Sequence, residues 1–214
     1  MTSENLAKPA PAGRRIPTQE RAQRTIQTIF EATAQIVESE GEAGLTTNKV
    51  AKKAGFSIGT LYQYFPSKEA IVLAMIHRHR EQVQRDLQVL LDTAVAERRE
   101  VQAVVREVVR LLVEHFGAGS RSRRALIRFG WRLDHQDRVT EALRQGAERN
   151  GLALAQIIAL GDATVRPPTP ALMFVVTRAL MGAIRSASLE SSPLLGTQVF
   201  EDELVRLAWG MLRA

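Results

Sequence analysis

An all-α fold is what this chain predicts, and three observations carry the expectation. Apolar residues recur at three- and four-residue spacings along most of the length, as they do when a helix buries one stripe. Threonine, serine, glycine and proline fall at the ends of those stripes, where helix termini favour them. Between Leu45 and Lys68, two short helical runs flank a glycine-bearing turn, the pattern of a helix-turn-helix. The expected architecture is an N-terminal three-helix unit containing that motif, followed by a larger helical domain.

Composition narrows the function classes. The 214 residues are ample for a hydrophobic core. The absence of cysteine rules out disulfides and thiolate metal sites. No apolar run approaches a membrane span, since Ala171–Val176 is soon followed by Arg178. The N-terminus lacks a signal-peptide core. A soluble, cytoplasmic protein without membrane partners is expected. The net charge of +6 suits a polyanionic partner. Its distribution does not locate one: residues 1–70 hold 9 basic and 7 acidic groups, and residues 71–140 hold 13 and 9.

Residues 1–18 read as a disordered leader carrying Lys8, Arg14 and Arg15, a solvated tail in preference to an arm laid along a duplex. Arg21 to Glu40 forms an amphipathic helix with Ile26, Ile29, Phe30, Thr33, Ile36 and Val37 on one face, closed by Gly41. Thr46 or Thr47 caps the next helix, which holds Val50, Ala51 and Ala54 and stops at Gly55. Ser57 caps a second, Ile58 to Phe65, ended by Pro66. On it, Leu61 and Phe65 point inward, while Ile58, Gly59, Tyr62 and Gln63 face out. An outward face carrying isoleucine and tyrosine suits a helix that enters the major groove. Apart from Lys8, every lysine lies here: Lys49, Lys52, Lys53 and Lys68.

The stretch GLTTNKVAKKAGFSIGTLYQYFPSKEAI resembles the DNA-binding domain of TetR-family transcriptional regulators, and IFEATAQIVESEG is similar to that family's first helix. T-T, A-x-x-A-G, G-T-L-Y-x-Y-F and S-K all stand at family spacing, and the likeness covers Arg21 to Arg80. It implies base-edge contacts from Asn48, Ile58, Gly59 and Tyr62, and phosphate contacts from Thr46, Thr47, Tyr64 and Lys68. Asn48 suits adenine, worth about 1–3 kcal/mol of discrimination, and Ile58 suits a thymine methyl. With Lys49, Ser57, Thr60 and Gln63 from the same surface, these form the expected DNA-binding set. The domains are then 1–18 leader, 19–80 DNA-binding (motif 45–65) and 81–214 ligand-binding and dimerisation.

A long helix from Ser67 links the two domains through Ile71, Val72, Met75, Val83, Leu87, Leu90 and Leu91. His77 and His79 on it diverge and cannot clamp one metal. The valine-rich stripe from Val101 to Phe116 needs tertiary burial to be helical. On the helix from Ser120 to Leu133, Arg124, Arg128 and Arg132 stack, with Arg121 and Arg123 nearby. They read as a solvated face paired with Asp134, Asp137 or Glu141, in preference to an anion-accepting patch. Gln136 to Leu160 is helical with a break near Asn150–Gly151. Thr169 and Thr197 cap the last two helices. Phe116, Phe129, Trp131 and Phe174 line an effector pocket or are plain core, with His115, Arg128 or Arg178 as polar groups. Ala171 to Leu189 is apolar nearly all round, and with the last helix it exceeds what one subunit buries. A homodimer seam at about 170–213 follows, through Ala179, Gly182, Ala183, Ser186, Leu204, Leu207, Ala208 and Met211.

No nucleophile elbow, phosphate loop or His-x-x-x-His spacing occurs, and Asp134 to Asp137 is the nearest approach to a catalytic cluster, so no enzyme, metal or cofactor is expected. The expected function is a homodimeric regulator on a pseudo-palindromic operator, with repression the outcome the resemblance implies and a small molecule releasing it. The alternative is a DNA-bound regulator whose larger domain answers a protein partner.

Overall fold

The computed structural model describes residues 16–117, 119–133, 137–159 and 165–214, with the backbone alone for 16–18 and 137–139. Among the described residues there are nine α-helices and no strand. Helix α1, Ile16–Glu40, begins three residues inside the segment read as a leader; residues 1–15 lie outside the described residues.

The N-terminal unit is assembled by local signals. After α1 come a single 3₁₀ turn, Glu42–Gly44, then α2, Thr47–Ala54, and α3, Ile58–Tyr64. Thr46 Oγ1 accepts from the Lys49 amide (3.3 Å), Ser57 Oγ from the Thr60 amide (3.0 Å) and Ser67 Oγ from the Ala70 amide (3.2 Å). Each cap satisfies one of the amide donors that a helix start leaves orphaned, worth about 1 kcal/mol. Gly55 ends α2 at φ 75°, in the left-handed region where a side chain is strained. Ile29, Leu45, Val50, Leu61, Ile71 and Val72 are fully buried, and the Phe30 and Phe65 rings meet at 5.8 Å.

Helix α4, Lys68–Ala96, leaves this unit and runs unbroken past residue 80, so the two domains share a helix instead of a linker. Around its second half pack α5, Val101–Phe116, α6, Arg121–Leu133, and α7, Asp137–Ala159. Val101, Val104, Val109 and Val113 of α5 are buried, which is how so β-branched a segment stays helical. Gly130 of α6 lies against α4: a Cβ there would stand 2.5 Å from Ile76 Cγ1, so only glycine permits the approach.

Helix α7 corrects the expected break. It passes through Asn150–Gly151 intact, and the glycine serves close packing on α8, Pro170–Leu189, where its Cβ would meet Met173 Cγ at 3.2 Å. A mid-helix glycine costs about 1 kcal/mol against alanine, less than a clash with the neighbouring helix. Contrary to the composition reading, α8 is long and apolar enough to cross a membrane. Its Met173, Val176, Leu180 and Ile184 are instead buried in the fold, against α5, α6, α7 and α9, Gln198–Leu212.

Candidate nucleic-acid interface and an apolar cavity

The inward side of α3 is fixed by Leu61, and the cap residue Phe65 closes it, which leaves Ile58 and Tyr62 outside at 37% and 51% exposure. Gly59 sits between them, and a Cβ there would meet nothing closer than Ser57 Oγ at 3.8 Å. Nothing inside the chain requires a glycine at this position. The Tyr62 hydroxyl lies 3.3 Å from Thr47 Oγ1, which holds the ring to one side of α3. Asn48 and Gln63 are exposed, Thr47 and Thr60 half-buried. Tyr64 packs partly against the core.

The cations around this face differ in their freedom. Lys49 is paired with Glu40. Lys52 and Lys53 are exposed in the last turn of α2. Lys68 is the first residue of α4, where a cation faces the positive end of the helix dipole and is disfavoured by a few tenths of a kcal/mol or more. An anion placed there would remove that penalty.

In the larger domain, α4, α5, α6, α7, α8 and the last helix line a half-open cavity of about 170 Å³, walled mostly by aliphatic side chains such as Val104, Leu154, Val176 and Leu180. Of the residues expected to line a pocket, Phe116 and Trp131 do so. His115, Arg128, Phe129, Phe174 and Arg178 are not among its walls. Phe174 is 54% exposed on the outer side of α8, with the Arg178 guanidinium 3.9 Å above its ring. His115 lies against His79, their ring centroids 5.3 Å apart, and its Nε2 is 3.1 Å from Asp86 Oδ2. Burial pushes both histidines below their ordinary range, with Arg123 adding to it; His79, whose Nε2 lies 2.9 Å from His115 O, falls to about 4.

Arg121, Arg124 and Arg132 of α6 are exposed, as a solvated face requires, but the partners of these arginines among the described residues are not the acids expected. Arg132 pairs with Glu42, Arg128 donates to Ser191 Oγ at 2.8 Å, and Arg124 donates to the Gly119 carbonyl. Glu141, an expected partner, pairs with Arg144; Asp134 and the Asp137 side chain lie outside the described residues.

Large exposed apolar side chains are concentrated on two surfaces. Two of the ten among the described residues are Ile58 and Tyr62; six more, Phe174, Val175, Leu189, Leu194, Val199 and Leu207, lie on α8, α9 and their connecting turn. Leu207 belongs to the set expected at a seam, as do Gly182 and Ser186, also exposed, and the half-buried Ala179, Ala183 and Met211. Leu204 and Ala208, also expected at the seam, are instead buried in the subunit's own core, because α9 is apolar on both sides.

A family model described as bacterial regulatory proteins, tetR family, matches residues 29–75, from the middle of α1 into α4. Over these residues the chain carries the TetR-family head. The regulator EthR of Mycobacterium tuberculosis is 33% identical over 109 residues, 50% of this chain and 49% of EthR. The nucleoid occlusion factor SlmA of Marinobacter nauticus is 26% identical over 202 residues, 87% of this chain and 92% of SlmA. SmeT, the repressor of the Stenotrophomonas maltophilia multidrug efflux pump SmeDEF, superposes with a TM-score of 0.63 at 18% identity, covering 88% of this chain and 90% of SmeT. At that identity the likeness is one of fold. Relatives matched at 30% identity or more, EthR among them, are spanned over half their length or less, 37% to 49%.

Beyond the TetR head, sequence reasoning missed most of the cavity wall. Arg80 and Val83 on α4, Arg149 and Asn150 on α7, and Met173, Val176 and Leu180 on α8 all line it. The one signal available was Asn150, a polar residue in the middle of a helix, which reads as a break and is a cavity group.

Proposed function

We propose that the chain is a homodimeric transcriptional repressor that binds a pseudo-palindromic operator in the cytoplasm and is released from it when a small molecule fills the cavity. The observation that carries this reading is the face of α3: two exposed apolar side chains flank a glycine that the chain's own packing does not need. Such a surface fits base edges in a major groove, where N-terminal residues of a recognition helix read sequence. Lysines beside it supply the salt-dependent hold on phosphates.

The second apolar surface, on α8 and α9, supports pairing with another copy, since contiguous exposed apolar patches mark interaction sites. Two copies joined there would present two α3 helices to successive major grooves. The cavity is walled by α4 and α6, and both reach the head. Glu38 of α1 accepts from the Ser122 amide at the start of α6 (2.5 Å), and Arg132 near its end pairs with Glu42. A ligand that shifts either helix changes the spacing of the two reading heads, so operator and ligand weaken each other reciprocally.

A larger domain that answers a protein partner draws on the likeness to SlmA, whose name describes a nucleoid occlusion factor. The concave, largely apolar lining of the cavity favours a small molecule. The test is fluorescence anisotropy on an operator selected from random duplexes, with sedimentation to establish the dimer. Tyr62→Ala is expected to weaken operator binding more than binding to random duplex. Equal losses on both would make Tyr62 structural, and failure to bind any duplex at low ionic strength would overturn the reading.

A further inference from the structure

Two side chains that line the cavity each carry a polar atom, one a donor and one an acceptor, with no hydrogen-bond partner among the described residues. Trp131 Nε1–H, a donor, and Asn150 Oδ1, an acceptor, are buried without a hydrogen bond among the described residues, and both residues line the cavity. The indole is not free to swing towards a partner. Trp131 is 5% exposed, the Arg80 and Arg185 guanidinium carbons each lie 5.5 Å from its ring centroid, and Arg185 Nη2 donates to its carbonyl at 3.3 Å. An unanswered buried polar atom costs roughly 1–3 kcal/mol, and natural folds keep few of them. Two on the walls of one largely apolar cavity are groups that a bound molecule can complete.

Charge selects among the molecules that would fit. Arg149 lines the cavity, and no aspartate or glutamate does among the described residues. An ammonium head would meet like charge. A carboxylate would suit Trp131 and Arg149 but set a negative group against the Asn150 oxygen, and burying it in apolar walls carries a desolvation cost. We propose that the cavity takes an uncharged amphiphile: an aliphatic or aromatic body ending in a carboxamide, whose oxygen accepts from Trp131 Nε1–H and whose N–H donates to Asn150 Oδ1. This narrows the ligand class of the small-molecule reading above and rests on it.

Calorimetric titration of the full chain with hexanamide, hexanoate, hexylammonium and toluene tests the assignment. Hexanamide is expected to bind at least about tenfold more tightly than either charged analogue. Trp131→Phe and the size-matched Asn150→Leu are each expected to weaken hexanamide about five- to tenfold, the value of one neutral hydrogen bond, while toluene binding holds or improves. Asn150→Leu keeps the test standing if Trp131→Phe does not fold. Tighter binding of hexanoate, or equal loss of toluene and hexanamide in both variants, overturns the proposal. Toluene binding with no preference among the heads removes this inference alone, whereas no binding of any probe removes the small-molecule reading with it.

Discussion

The two halves of the molecule are finished to different degrees. In the head, the buried Thr33 hydroxyl donates to the Ile29 carbonyl, and α2, α3 and α4 each begin on a capping hydroxyl. In the larger domain, Trp131 Nε1, Asn150 Oδ1 and Arg178 Nη1 are buried without a hydrogen-bond partner among the described residues, and the helices leave a cavity between them. A surface that must hold side chains to fixed positions against a duplex gains from complete satisfaction and close packing. A domain that responds to a ligand gains from contacts left for the ligand to make, because only differential contacts shift an equilibrium.

Four measurements sharpen or break this contrast. The largest effect expected is from Leu61→Ala in the filled head, about 3 kcal/mol of lost stability in denaturant unfolding. Leu154→Ala, beside the cavity, should cost about half as much, because some of the removed atoms already face empty space. Equal costs would mean the two halves are packed alike.

The second concerns pH and rests on the contact between α4 and α5. Burial holds His79 neutral down to about 4, while the unfolded chain takes up that proton near 6.5. Stability is therefore complete above about pH 6.5 and falls as pH drops from there towards 4, by about 2 kcal/mol. His79→Gln should flatten that slope; an unchanged slope in the variant would assign it to other groups.

Third, Gly59→Ala is expected to leave stability within about 0.5 kcal/mol, since the new methyl meets nothing in the chain. Operator affinity should nonetheless fall about tenfold if α3 lies close against base edges. Undiminished binding would move the interface off this face. Smallest of all, Arg132→Ala removes an exposed ion pair with Glu42 and should change stability by less than about 0.5 kcal/mol. A larger loss would make that pair a structural strut between head and larger domain.

How much of this was legible in the sequence follows the same divide. The head is specified by neighbours: Thr46, Gly55, Ser57, Leu61 and Phe65 set their helices within a few residues of themselves, so caps, turn and inward face can be read directly. The cavity is a property of distance. It forms where stripes of α4, α5, α7 and α8 fail to fill the space between them, and no single stripe records that shortfall. Phe174 illustrates the difficulty, because α8 is apolar nearly all round and its spacing does not say which side faces in. The same ambiguity on α9 put Leu204 and Ala208 at the seam when they belong to the core. Asn150 was visible as an anomaly, but only the neighbouring helix shows that the chain continues straight through it.

One helix ties these observations to a scale of motion. At 29 residues, α4 is about 43 Å long. A rod of that length tilted by about 5° at one end travels about 4 Å at the other, slightly more than the 3.4 Å between successive bases on a strand. Pivoted at Ala96, such a tilt would carry Lys68 by about one base step.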